Sequence, residues 1–399
     1  MTAYITGIGV LSTLGNDYET LADNLLAGRS GIARVRRFDV DQHPSKIAGE
    51  ISHIPRPNCV NEEHWKALSP VDQSAIWCCH QALVDAGLWH SRHDLSVGLI
   101  LGVGSEWLLR WEADAACGGR LVEEPTTAIT PHLQIVRQIL GLRGPAVLLS
   151  TACATGNHAL LLARRWLQLG WADICLAGAC DMNVTPMVLA AFGNLRALSR
   201  RNDEPQKASR PFDRDRDGFV LAEGGAMFVL ETTRRNHCRS YGELIGAGAS
   251  SDAYHLVMPP PDATAAQIAL REALAEAGIN CDEVDYINAH GTGTPAGDRA
   301  EARTLHHVFG EAVAKIPVSS TKSMTGHLLT GASALEAVAC LAAIDRQAVP
   351  PTINLDDPDP DCDLCHVRNE AQPRKLRTVI SNAFGFGGSN SCVVFRRAG

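Results

Sequence analysis

Cys153 stands in Leu148-Leu149-Ser150-Thr151-Ala152-Cys153-Ala154-Thr155-Gly156, where a short apolar run stops and a helical pattern begins. The run 146–150 reads as a buried strand. From His158 to Leu169 the apolar residues Leu161, Leu162, Trp166, Leu167 and Leu169 recur at helical spacing. A cysteine at that junction meets the unpaired N–H groups and positive dipole end of the helix, which favour thiolate over thiol. Ala152, Ala154 and Gly156 are small and leave room for a carbonyl to approach. The chemistry on offer is nucleophilic acyl capture. A strand-end cysteine that merely fills the core looks the same locally, so the assignment depends on partners elsewhere in the chain.

Three further segments supply candidates. Asn288-Ala289-His290-Gly291-Thr292-Gly293-Thr294-Pro295-Ala296-Gly297-Asp298 puts a histidine at a strand end, ahead of glycines and small hydroxyl residues, on a tight loop. Ser319-Ser320-Thr321-Lys322-Ser323-Met324-Thr325-Gly326-His327 places a lysine and a histidine before the apolar helix that holds Glu336. A buried lysine beside a carboxylate keeps its charge and fixes loop geometry. Asn382-Ala383-Phe384-Gly385-Phe386-Gly387-Gly388-Ser389-Asn390 carries glycines that let backbone N–H groups come close to a ligand, as an oxyanion-hole donor requires. Each segment also has a plainer reading: a histidine satisfied by the backbone, a solvated lysine, a hairpin turn. No phosphate-binding loop and no strand-glycine-helix dinucleotide fingerprint occurs, which argues against a nucleotide cofactor.

The elements that must position these groups alternate between strand and helix, the pattern of an α/β fold. Strands are expected over 4–10, 97–103, 146–150, 173–177 and 226–230, with helices over Tyr18–Leu26, 70–86 and after Cys153. The polar, basic stretch 233–240 marks a boundary. A second series follows: strand 242–247, helix 265–277, strand 284–289, helix 332–345, and strands 378–382 and 391–396. The element orders are similar, so the chain divides into two related halves, 1–240 with the cysteine and 241–399 with the two histidines.

Composition narrows the function classes. The chain has 399 residues, 45% of them hydrophobic, enough for a large core. A formal charge of −8 and the lack of a basic block argue against a general nucleic-acid binder. Met1-Thr2-Ala3-Tyr4-Ile5 does not begin a signal peptide, and no apolar run approaches the roughly 18 residues of a spanning helix. A soluble, cytoplasmic protein is the expectation. The 13 cysteines then read mainly as small core residues. Cys362-Asp363-Leu364-Cys365-His366 matches the haem-attachment spacing, but that chemistry requires export, and a zinc site lacks a second cysteine pair at matching distance. No metal is expected.

One cysteine and two histidines on separate glycine-rich loops, taken together, resemble the 3-oxoacyl-acyl-carrier-protein synthases, thiolase-fold condensing enzymes, and among them the synthase II type. The resemblance covers nearly the whole chain. It includes Thr6-Gly7-Ile8-Gly9-Val10, Ala208-Ser209-Arg210-Pro211-Phe212-Asp213 through Asp217-Gly218-Phe219-Val220, Ser251-Asp252-Ala253-Tyr254-His255 and Pro350-Pro351-Thr352-Ile353-Asn354-Leu355. It implies a thiolase-like fold, with two related halves packed as a five-layer α-β-α-β-α sandwich.

By the same resemblance, Cys153 takes an acyl chain from an acyl carrier protein, and a malonyl thioester then loses its carboxylate and attacks that chain. His290 and His327 donate hydrogen bonds to the malonyl thioester oxygen, and Lys322 with Glu336 orients the His327 loop. The N–H groups of Cys153 and Phe386 form the oxyanion hole. Phe386 also acts as an aromatic gate, and Phe192 lines the acyl tunnel. Thr292 and Thr294 contact the pantetheine arm, Phe384 belongs with the substrate-binding residues, and Arg196 docks the carrier. No cofactor is implied beyond the carrier's own phosphopantetheine. A homodimer, or a heterodimer with a related ketosynthase-like chain, is expected, with no nucleic-acid or membrane partner.

The chain departs from the family in three places. The stretch between Gly104-Ser105 and Gly141-Leu142-Arg143-Gly144-Pro145, which shapes the acyl-pocket floor and part of a twofold interface, is short. Asn61-Glu62-Glu63-His64-Trp65-Lys66 carries two glutamates where carrier-binding basic residues are usual. Thr330-Gly331-Ala332-Ser333 replaces a run of alanine and glycine only. These departures suggest a specialised acyl length or pathway, such as a secondary lipid, polyketide or polyene. The competing readings are a non-condensing partner subunit akin to chain-length factors, an acyltransferase that does not decarboxylate, and a Cys–His hydrolase. An intact Cys153, His290 and His327 argue against the first, and Lys322 with two histidines against the last.

Overall fold

The strands of this chain are apolar on both faces. Val97–Gly102 and Ile174–Asp181 are buried at every position, as happens when helices cover a sheet on both sides. The computed structural model describes residues 2–104, 106–119, 132–235 and 238–399. In it the first half contributes β1 (Ala3–Leu11), β2 (Val97–Gly102), β3 (Ala146–Leu149), β4 (Ile174–Asp181) and β5 (Gly224–Glu231). The second contributes β6 (Gly242–Ser251), β7 (Tyr286–Asn288), β8 (Val318–Ser319), β9 (Thr378–Gly385) and β10 (Ser389–Arg396).

The spatial order is β3-β2-β4-β5-β1 in the first half and β8-β7-β9-β10-β6 in the second, one topology used twice. In each half the first three strands of that order run parallel and the next is reversed: β5 is antiparallel to β4, and β10 to β9. The two sheets join where Ala3, Tyr4 and Ile5 of β1 pair with Leu244, Glu243 and Gly242 of β6.

The helices are α1 (Tyr18–Leu26), α2 (Pro70–Asp85), α3 (His132–Leu140), α4 (Thr155–Gln168), α5 (Pro186–Asn194), α6 (Thr264–Ala277), α7 (Pro295–Phe309) and α8 (Ala332–Arg346), besides a helix over Glu106–Ala116 and shorter pieces. α2 covers the outer face of the first sheet and is backed by α3, while α6 covers the second and is backed by α7. Between the sheets α4 and α8 pack on each other, α4 reaching β2, β4 and β10, and α8 reaching β5 and β9. The layers are therefore α-β-α-β-α, with α4 and α8 as the shared middle.

That middle layer sets the position of the nucleophile. α8 is buried at every position from Ala332 to Ile344, the signature of a core helix. Its small residues allow close crossing: a Cβ at Gly156 of α4 would lie 2.3 Å from the backbone nitrogen of Ala334. The start of α4 is thereby pressed onto the helix that carries Glu336.

The observed elements differ from the expected ones mainly at their ends and in polar stretches. β4 runs on to Asp181, β6 to Ser251 and β9 to Gly385, because the ladders continue through polar residues and glycine: Asp181 pairs with Gly224, Ser251 with Ser389 and Gly385 with Ser389. α5 was hidden by its uniformly apolar sequence, and α7 by its many charges. β8 has only two residues. Part of the short stretch after Gly104, including Ser105 and residues 120–131, lies outside the described residues. Among the described residues, no helix is long and apolar enough to cross a membrane.

Candidate active site

Cys153 occupies the elbow between β3 and α4. Ala152 adopts a left-handed conformation, φ +50°, which costs an L-residue about 1–2 kcal/mol. Local bonds hold it there: the Thr155 hydroxyl donates to the Ala152 carbonyl (2.6 Å) and accepts from Thr151 N (2.8 Å). Ala154 caps α4 without a side-chain hydrogen bond; the Thr155 N–H turns back to the Ala152 carbonyl (3.2 Å), and the Asn157 N–H is taken by the Ser333 hydroxyl of α8 (3.2 Å). The Phe386 loop closes over this elbow. A Cβ at Gly385 would sit 2.9 Å from the Thr151 carbonyl and 3.2 Å from Cys153 N, so only glycine permits the approach. The N–H groups of Phe386 and of Cys153 itself both act to favour the thiolate. The segment is thus a hairpin connection between β9 and β10 and a backbone donor at once.

Both histidines arrive from the second half. His327 is held by its own backbone, donating from N to the Val220 carbonyl (2.7 Å) and accepting from Ala222 N (2.9 Å). Its Nε2 lies 3.0 Å from Cys153 Sγ. His290 follows β7, and the Glu301 carboxylate accepts from the N–H groups of His290 (2.8 Å) and Gly291 (2.7 Å). The two imidazoles stand nearly perpendicular, centroids 5.5 Å apart. Phe219 packs edge-on against His327 and Phe384 against His290.

Lys322 is buried, contrary to the solvated alternative. Its ammonium is paired with Glu336, donates to the His290 carbonyl (2.6 Å) and lies 3.3 Å from His290 Nδ1. An ammonium has protons and no acceptor, so Nδ1 must be the acceptor and the ring proton of His290 sits on Nε2, where it serves as a donor.

Burial dominates the electrostatics. It pushes the Cys153 thiol up to about 11, against the pull of Lys322 and the Phe386 N–H. Burial and the Lys322 charge hold His290 and His327 well below the usual imidazole range. Burial likewise raises Glu301 to about 7, and Glu336 to about 7 despite Lys322. The sequence-based expectation of a ready thiolate is therefore corrected: a helix start contributes less than removal from water costs. The resting site holds a thiol beside neutral imidazoles. Alkylation of Cys153 by iodoacetamide is accordingly expected to speed up by about tenfold per pH unit from pH 7 towards 10, since only thiolate reacts. A rate that levels off below pH 8 would instead reveal a thiolate–imidazolium pair.

Cys153, His290 and His327 open into a cavity of about 630 Å³, which Thr292, Thr294, Phe192, Phe384, Phe386 and Arg196 also line. The Thr292 and Thr294 hydroxyls are 2.9 Å apart. Arg196 is exposed and has φ +56°. Phe192 bridges Phe386 and Phe219, with centroids 6.1 and 5.6 Å away, and with Leu108 and Leu329 forms one apolar wall. Lys322 and Glu336 stand behind the histidines rather than on the cavity. The sulfur and the nearest nitrogens of the two histidines lie within 4.8 Å of one another. A thiophilic ion such as Zn²⁺ could close on them, but it would take the space a substrate carbonyl needs.

Sequence reasoning missed Glu301, Phe219, Leu108 and the position of Thr330. Glu301 had one usable signal: it lies three residues after Asp298 on the first turns of α7, one helical face with two acids directly behind a glycine loop. Both are buried, Asp298 accepting from Gly293 N and Phe212 N.

Thiol chemistry beside neutral hydrogen-bond donors, shielded from water between two like halves, is what carbon–carbon bond formation on thioesters demands, and it places this molecule among the thiolase-like condensing enzymes. Comparison with known proteins makes the family explicit. The model of the beta-ketoacyl synthase N-terminal domain matches residues 3–236 and that of the C-terminal domain residues 241–356. The chain belongs to the beta-ketoacyl synthase family. It is 42% identical to 3-oxoacyl-[acyl-carrier-protein] synthase 2 of Coxiella burnetii and 39% identical to that of Vibrio harveyi, over 98% of each chain. Among solved structures, it is similar to a beta-ketoacyl synthase from Burkholderia phymatum (TM-score 0.89, 31% identity, 100% of this chain and 99% of that one). A type II polyketide synthase acyl-carrier protein in complex with its ketosynthase bound to the hexaketide is equally similar (TM-score 0.89, 30% identity, 99% of each chain).

Proposed function

We propose that this chain catalyses decarboxylative Claisen condensation of a Cys153-bound acyl group with malonyl-acyl-carrier-protein, giving 3-oxoacyl-acyl-carrier-protein. The observation that carries this reading is the 3.0 Å approach of His327 Nε2 to Cys153 Sγ, with the His290 donor beside it at one end of an apolar cavity. In the first half-reaction sulfur attacks the acyl thioester as His327 takes the thiol proton. The Cys153 thioester forms, the carrier thioester breaks, and the proton passes to the departing pantetheine thiol. In the second, the malonyl C–C bond breaks, CO₂ leaves, and the electron pair delocalises onto the thioester oxygen, held by the Nε2–H of His290 and by His327, whose ring proton must then sit on Nε2 rather than Nδ1. The enolate carbon attacks the acyl-Cys153 carbonyl, the N–H groups of Cys153 and Phe386 hold the oxyanion, and sulfur departs. Fixed donors in a dry site favour each charge as it develops.

The remaining roles follow position. Lys322 and Glu336 fix His290 and its tautomer, and Thr292 and Thr294 flank the path of the pantetheine arm. Phe386 gates the sulfur against Phe192, Phe384 walls the His290 side, and the exposed Arg196 meets the carrier. The phosphopantetheine belongs to the carrier, and the chain needs no cofactor of its own. It works in the cytoplasm as a homodimer or beside a related ketosynthase-like chain, its halves dividing at 1–240 and 241–399. The pathway is fatty acid synthesis or a related polyketide or polyene route. The test is intact mass spectrometry of carriers after mixing the protein with a panel of acyl-carriers and malonyl-carrier. A 3-oxoacyl product two carbons longer supports the reading, and loading of Cys153 without chain growth on any member contradicts it in favour of a non-condensing acyltransferase or partner subunit.

A further inference from the structure

Thr330 is the residue at which this chain departs from the alanine–glycine run expected after the His327 loop, and the fold gives it a defined place. It is buried, 3% exposed, and lines the same cavity as the apolar residues Leu108, Phe192, Phe219 and Leu329. Its backbone is fixed. Thr330 N donates to the buried Asp181 carboxylate (3.4 Å), and the preceding Leu329 is held at φ +49°, a conformation a leucine adopts only under constraint. Gly104, also on the cavity, is pressed against the hydroxyl, since a Cβ there would lie 1.7 Å from Thr330 Oγ1. Among the described residues no hydrogen bond is made to this hydroxyl; the Thr330 N–H, not its side chain, meets Asp181.

A hydroxyl without a partner beside the apolar wall of Leu108, Phe192, Phe219 and Leu329 penalises some ligands and rewards others. A saturated chain packed over it excludes water and leaves the hydroxyl unsatisfied. A chain with an oxygen at that depth restores the bond. We infer that Thr330 is a specificity-determining residue that selects acyl chains carrying a hydrogen-bonding oxygen, a ketone or hydroxyl, over saturated hydrocarbon chains of the same length. This rests on Cys153 being acylated, as the proposed function holds, but not on the condensation step.

The experiment loads Cys153 from acyl-pantetheine thioesters of one length, one saturated and the others bearing a ketone at successive carbons, and follows intact protein mass with time. Loading of at least one ketone-bearing chain about tenfold faster than the saturated chain is expected. Thr330→Val, which keeps the shape and removes the hydroxyl, is expected to abolish that preference, and Thr330→Ser to keep it. Equal loading of all chains by the unaltered protein overturns the inference, as does a preference that survives in Thr330→Val. Condensation of every loaded chain with equal loading sinks this inference alone. Selective loading with no chain growth sinks only the proposed function.

Discussion

Replacing Cys153 by alanine is expected to lower 3-oxoacyl formation by about a million-fold, to the background rate, because removing a nucleophile that works as part of a unit costs about that much. Other cysteines cannot substitute: the remaining buried ones, such as Cys78, Cys175, Cys180, Cys340 and Cys392, sit in apolar packing away from the cavity. The variant should nevertheless still release CO₂ from malonyl-carrier at a measurable rate. His290, His327 and Lys322 are untouched, and the donors that stabilise the enolate do not depend on the sulfur. Loss of CO₂ release together with condensation would mean that decarboxylation needs the acylated cysteine itself. Condensation that persists in the variant would remove Cys153 from the reaction altogether.

The second large effect lies with the two imidazoles, and it separates them. His290→Ala and His327→Ala are each expected to slow malonyl decarboxylation by about 100–1,000-fold, the usual cost of one oxyanion donor. Only His327→Ala should also slow acylation of Cys153, because of the two imidazoles only His327 makes a hydrogen bond to the sulfur, at 3.0 Å. His290 makes none, and its Nδ1 is engaged by Lys322 at 3.3 Å. Single-turnover loading of Cys153 from an acyl thioester, read beside CO₂ release, checks both statements. Equal loss of loading in the two variants would contradict the division of labour.

Much of this site was legible in the sequence because Cys153 and His290 follow strands and are themselves followed by alanine or glycine, while His327 closes a loop of small and hydroxyl residues. Cys153, His290 and His327 each announce a side chain delivered by a rigid element, and all three meet in the structure. The duplicated topology was legible as a repeated element order, although the two halves share little at the residue level. What stayed hidden was set by the interior. Whether Cys153 is thiol or thiolate depends on how completely it is buried, and no spacing reports that. Glu301 looks like a surface acid on a charged helix until α7 turns it under the His290 loop. Thr330 is visible as an odd residue, but its meaning comes from Gly104, more than two hundred positions away in the chain. The extent of β8 and the existence of α5 were lost for the same reason: tertiary packing, not local period, defines them.

The most direct measurement of the central claim is a single turnover from purified acyl-Cys153 protein mixed with malonyl-carrier, counting CO₂ and 3-oxoacyl-carrier together. One CO₂ and one 3-oxoacyl product, two carbons longer, are expected for each acyl group lost from Cys153. Acyl groups that leave as free acid, or that move unchanged to the carrier without CO₂ release, would show instead that the cysteine and its histidines serve hydrolysis or simple acyl transfer.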